Sequence, residues 1–204
     1  MNSLRYSHLA VALSFVFVFS VQSAIPAVNG RQENERQAQL NRAAKKLYKS
    51  ALDEFKQQRY WDSAVDLTAI LNLHPSFEKS DAVAYMLANS LYEMGMYDGA
   101  DRMYRKLLKN YPKTIYVAEA ILGLQKVWFQ KQVFPTSLKF YKVLESHYSD
   151  NDAIQESRYY AGQTHFQLDD NTLALNIFQQ INKKSDYYPF ALYSIGLIDL
   201  KKKT

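Results

Sequence analysis

The sequence predicts an all-α solenoid of helix-turn-helix repeats, and three observations carry that prediction. The first is a period of 37 residues, counted from Ala44, Asp81, Ala118 and Gln155. At fixed offsets come the aromatics Phe55, Tyr92, Phe129 and Phe166, and the small residues Ser63, Ala100, Ser137 and Ala174. Two further columns hold Leu67, Tyr104, Tyr141 and Phe178, and Ile70, Leu107, Leu144 and Ile181. A fixed period in this range marks stacked supersecondary units that bury their apolar faces on one another. The second observation is helical spacing: Ala84, Leu87, Ala88, Leu91 and Tyr92 fall on one face, as do Tyr97, Ala100, Tyr104, Leu107 and Leu108. The third is punctuation: Gly95-Met96 breaks the first stripe of that unit and Tyr111-Pro112 stops the second, because glycine ends helices and proline cannot continue one.

The elements follow in chain order. Residues 1–23 read as a secretory signal: Arg5, then a largely apolar run from Leu9 to Val21, then Val21-Gln22-Ser23-Ala24 with small residues placed for a cut after Ser23. The alternative is an uncleaved anchor over residues 9–28, a span just long enough to cross a bilayer. Residues 24–43 form a polar linker and leading helix, with Pro26 and Gly30 at its start and a helix-favouring composition from Glu33. The solenoid spans 44–204, with units 44–80, 81–117, 118–154 and 155–188 and a partial fifth unit, 189–204. In units one, two and four, Ala51, Ala88 and Gly162 on the first helix and the small column on the second let the helices approach, and large aromatics fill the remaining space.

This pattern resembles the tetratricopeptide repeat. That family places small residues at its eighth and twentieth positions, an aromatic near its twenty-fourth and proline at its thirty-second. Unit two matches with Ala88, Ala100, Tyr104 and Pro112; unit one with Ala51, Ser63 and Pro75; unit four with Gly162, Ala174 and Phe178. Unit three departs most, with Gln125 at the small position and Ser149 at the proline. The fifth unit starts at Pro189 and carries Gly196 at the small position. The resemblance implies a right-handed superhelical solenoid. The 37-residue spacing and the run Tyr111-Pro112-Lys113-Thr114 are similar to the repeats of bacterial envelope proteins of the BamD-like and CpoB-like types. With the signal, that resemblance implies a periplasmic address. BamD-like proteins carry a lipidated cysteine at the cut, and the absence of cysteine here excludes that anchor.

Composition removes several classes of chemistry. Without cysteine there is no disulfide, thiolate metal site or cysteine nucleophile. The histidines His8, His74, His147 and His165 form no pair at metalloprotease spacing, and the glycines form no phosphate loop or nucleophile elbow. Ser149-Asp150-Asn151-Asp152 lacks the full spacing of a calcium loop and reads as an inter-helix turn. The expectation is therefore a protein that is not an enzyme and uses no cofactor or metal. The net charge of +5 is spread over Lys45-Lys46, Lys183-Lys184 and Lys201-Lys202-Lys203, not gathered into the single basic stripe that nucleic acid requires, so nucleic acid is not expected as a partner. A membrane enters only if the signal is uncleaved.

What remains is a surface. In tetratricopeptide solenoids the first helices line the concave groove at the second, fifth, ninth, twelfth and thirteenth positions. The fifth position carries over to Tyr48, Tyr85, Leu122, Tyr159 and Tyr193; the ninth to Leu52, Asn89, Lys126, Gln163 and Leu197; the twelfth to Phe55, Tyr92, Phe129, Phe166 and Leu200. The resemblance thus implies an aromatic-walled groove with a polar strip of Asn89, Lys126 and Gln163, suited to an extended peptide or partner helix. The expected partner-binding set is Tyr48, Tyr85, Asn89, Tyr92, Lys126, Tyr159, Gln163 and Tyr193. A carboxylate-clamp use needs several cationic groove residues and finds only Lys126. The expected function is a non-catalytic protein-protein interaction scaffold of the cell envelope, in outer-membrane assembly or in coordinating envelope and division. The alternative is an N-terminal adaptor domain of a longer enzyme or secretion-machine component. Phe190, Leu192, Ile195, Leu197, Ile198 and Leu200 spread around the last helix, an apolar surface that favours further chain or a docked partner. The oligomeric state stays open.

Overall fold

The first helix of the solenoid, α1 (Gly30–Lys56), is also its longest, and its two buried residues, Ala44 and Ala51, lie in its second half. The polar leading segment 30–43 therefore continues the same helix outward without a packed face. The structure is a computed structural model and describes residues 30–201. The proposed signal at 1–23 and the apolar run from Leu9 to Val21 lie outside the described residues. Among those described, no helix is long and apolar enough to cross a membrane.

Eight more helices follow: α2 (Tyr60–Leu73), α3 (Ser80–Glu93), α4 (Tyr97–Asn110), α5 (Val117–Gln130), α6 (Phe134–His147), α7 (Ala153–Gln167), α8 (Asn171–Phe178) and α9 (Tyr188–Lys201). The described residues contain no strand. Each helix packs on the next, giving the pairs α1–α2, α3–α4, α5–α6 and α7–α8 and the contacts between successive pairs. Beyond that, α3 touches α5, α5 touches α7 and α7 touches α9, whereas no two of the described second helices touch to that extent. The first helices thus form the inner layer of the curve and the second helices the outer one. This is a tetratricopeptide-like helical solenoid.

The small columns do what their size permits. Ala51, Ala88, Ala100, Ala174, Ser63 and Ser137 are all fully buried. At Gly162 a β-carbon would lie 2.4 Å from the Phe178 ring, so only glycine lets α8 come this close. Gly196, at the matching position of α9, has open space instead. Gln125, which breaks the small-residue column in unit three, is also fully buried. It reaches forward to α7 rather than into its own pair. Its Nε2 donates to the Ser157 carbonyl (2.9 Å), the Ser157 hydroxyl donates to its Oε1 (2.5 Å), and Ser137 Oγ donates to its backbone carbonyl (3.0 Å). A buried amide is tolerated when its polar atoms are met in this way; here it fastens unit three to unit four.

The turn inside each pair has one backbone form. Gln58, Gly95, Gln132 and Asp169, all fifteenth in their units, have φ of 60°, 73°, 59° and 62°. In each, the following amide reaches the carbonyl five residues back: Arg59 to Glu54, Met96 to Leu91, Val133 to Trp128 and Asp170 to His165, at 2.9–3.0 Å. This is a Schellman-type helix end, which closes on a left-handed residue. The pattern slips in the second helix of unit four: α8 stops at Phe178, leaving Ile181 buried in the turn beyond it. The amides of Gln180 and Ile181 bond three residues back, to Ile177 and Phe178, which tightens the chain away from a helix. Asn182 Oδ1 then accepts from the Lys184 amide (2.9 Å) and the Asn182 amide donates to Gln155 Oε1 (2.8 Å), fixing a polar turn.

Candidate partner-binding groove

The inner layer opens into two adjoining cavities. The larger, about 560 Å³, lies between α3, α5, α7 and the turn before α9. The smaller, about 170 Å³, lies between α1, α3, α5 and α7. Both are bounded by Tyr85, Glu119, Leu122 and Glu156, so they form one groove across three successive first helices.

Tyr85, Asn89, Tyr92 and Lys126 come together in the smaller cavity. The Tyr85 ring stacks on Tyr116 at 4.8 Å and 12°. Burial raises the Tyr85 phenol's pKa above its ordinary value, so it enters the groove as a neutral hydrogen-bonding group. Asn89 is held by Tyr104, whose hydroxyl donates to Asn89 Oδ1 at 2.5 Å. The Tyr104 ring can stand there because Gly123 faces it; a β-carbon on Gly123 would lie 2.3 Å from the ring. Gly123 was not among the sequence-predicted residues, since its neighbour in space comes from the preceding unit.

Lys126 spans two units. Its Nζ sits 2.7 Å from Glu156 Oε1, with both side chains about one-fifth exposed, and lies 5.1 Å from the Tyr92 ring centre and 5.7 Å from that of Tyr160. Burial pulls the ammonium pKa down, but the Glu156 carboxylate outweighs it and holds the group above its ordinary range. Lys126 is therefore a fixed cation neutralised from within the groove.

The other expected residues are placed differently. Tyr159 packs in an aromatic cluster with Tyr160, Phe178, Tyr187 and Phe190, at ring distances of 5.6–6.2 Å. Gln163 donates to Ser194 Oγ at 2.7 Å and ties α7 to α9. Tyr48 lies against Phe77 at 6.0 Å, under Lys79. Tyr193 is 70% exposed and borders neither cavity. Glu119 and Glu156, both second in their units, were missed: the second position counts as a groove position in the repeat family, but its side chains were not carried onto this sequence. Glu119 Oε2 is buried and, among the described residues, has no hydrogen-bond partner.

The described residues hold no group of three or more His, Cys, Asp and Glu side chains arranged to bind a metal. What the arrangement offers is hydrogen-bonding and aromatic surface along a curved channel. No curated protein matches the chain. Residues 82–114 match the tetratricopeptide repeat family model, which makes the second unit a repeat of that type.

Proposed function

We propose that this protein is a non-catalytic scaffold of the bacterial cell envelope that binds a partner peptide or helix in its concave groove, in outer-membrane assembly or in coordinating envelope and division. Tetratricopeptide repeats generally mediate protein-protein interaction, and proteins built from them are generally non-catalytic. The observation that carries the reading is the channel floored by Tyr85, Asn89, Tyr92 and Lys126, four side chains from adjacent first helices. Tyrosines there offer large contact area and a hydroxyl at low rotamer cost. The envelope address rests on Arg5, the apolar run Leu9 to Val21, and the small residues before Ala24.

The test is Tyr85→Ala combined with Tyr92→Ala, both lining the smaller cavity, with helicity and melting checked first. Tyrosine anchors near the centre of an interface cost about 2 kcal/mol or more on truncation, on the order of thirtyfold in affinity. Capture from envelope extract, followed by mass spectrometry, is expected to lose at least one partner that the parent protein retains. Recovery of every partner by the folded double variant would rule the groove out as the binding surface.

A further inference from the structure

The repeat register exposes an asymmetry in the groove. Lys126, ninth in unit three, neutralises Glu156, second in unit four, thirty residues on. Shift the same pair back one unit and the positions are Asn89 and Glu119. The carboxylate is repeated, but the lysine is not. Asn89 and Glu119 border the same cavity, yet the Asn89 amide oxygen is engaged by Tyr104 instead. Glu119 Oε2 is left buried and, among the described residues, with neither a hydrogen bond nor an ion pair, whereas Glu156 Oε1, likewise without a hydrogen bond, has Lys126 Nζ at 2.7 Å. A buried acceptor without a donor costs the full loss of its hydration, and more so when it is charged.

The surroundings are suited to a cation. Glu93, Glu119, Asp152, Glu156 and Asp186 border the two cavities against Lys126 and Lys184, five acids to two bases, a balance of −3 in a chain whose total is +5. A cleft lined by one sign of charge focuses its field and concentrates the opposite charge. Tyr85 stands beside Glu119 in both cavities, and an aromatic face attracts an ammonium or guanidinium. The protein already holds one cation this way, with Lys126 set against a carboxylate and two tyrosine rings.

Building on the groove reading above, we infer that the partner is an extended basic peptide that places a lysine or arginine side chain on Glu119, with Tyr85 against its alkyl stem. The partner's cation thus takes the place that Lys126 fills one unit further on. This is the opposite polarity to a carboxylate clamp.

The experiment probes an array of random-sequence peptides with the purified protein, then titrates the tightest binder by fluorescence anisotropy at low and high salt. Bound peptides are expected to be enriched in Lys and Arg, with affinity falling as salt rises. Glu119→Gln should keep or raise the melting temperature, since it removes an unpaired carboxylate, and weaken the basic peptide about tenfold, the scale of one charged hydrogen bond. Asn89→Lys, which supplies the missing internal cation, should weaken it similarly by occupying Glu119 from within. Peptides bound without preference for basic residues, but lost in Tyr85→Ala, would overturn the cationic partner and leave the groove standing. Absence of any Tyr85-dependent peptide binding would overturn both.

Discussion

Gly123 shows how one side chain, or its absence, sets the groove. It lets the Tyr104 ring lie against α5, and Tyr104 in turn holds Asn89 through its hydroxyl. An alanine β-carbon would meet ring carbons at 2.3–2.6 Å, and Tyr104 is 2% exposed, with no room to swing aside. Gly123→Ala is therefore expected to destabilise by about 1–3 kcal/mol through overpacking, despite alanine's better helix propensity of about 1 kcal/mol. Chemical denaturation measures the loss. Melting unchanged or raised would mean that the ring does not sit where the structure puts it. Gln125 makes the complementary point: an amide at a position that calls for a small residue reads as a defect in one unit, but its partners Ser137 and Ser157 come from its own pair and from the next. The same holds for Glu119 and Glu156. Each is an ordinary surface residue in sequence, and only the thirty-residue step between units brings Lys126 to one and Asn89 to the other.

At the scale of the element, the turn inside each pair is the part the sequence conceals best. Helix faces and small columns are written as periodicities, and these were legible. The left-handed residue at position fifteen was legible in unit two, where it is Gly95; in the others it is Gln58 or Gln132, which carry no such signal, or Asp169, whose type favours that region far less than glycine does. Glutamine tolerates this conformation at an energetic cost because the bonds on either side of the turn hold it there. Gln132 is exposed, so Gln132→Gly should remove strain without loss of packing and stabilise by about 0.5–1 kcal/mol, glycine's extra chain entropy offsetting part of a relief of about 1–2 kcal/mol. Gly95→Ala should do the reverse by about 1 kcal/mol, and purely through the backbone, since its β-carbon would meet open space. Thermal melts of the two variants should therefore shift in opposite directions. Shifts of the same sign would deny the shared turn. The early end of α8 was hidden for a related reason: Ile181 keeps its column in sequence and its burial in space, while local turn bonds take the backbone out of the helix.

At the scale of the whole molecule, charge is divided: the chain is basic overall, while its groove is acidic. A groove that works on the far side of the inner membrane must first be exported, and the residues that would direct export are the first twenty-three. Signal processing needs small residues at the first and third positions before the cut, here Ser23 and Val21, after an apolar run too short to span comfortably. The mature chain should then begin at Ala24 and carry the polar lead into α1 free of any anchor. Intact-mass measurement of the protein recovered from fractionated envelopes reads this directly: the expected species starts at Ala24 and leaves with the soluble fraction. Ser23→Tyr, which enlarges the residue at the cut, should instead accumulate the precursor. A parent protein that keeps Met1 and resists carbonate extraction would make residues 9–28 an anchor. The solenoid would then be tethered, and the basic peptide it meets would have to lie within reach of the membrane surface.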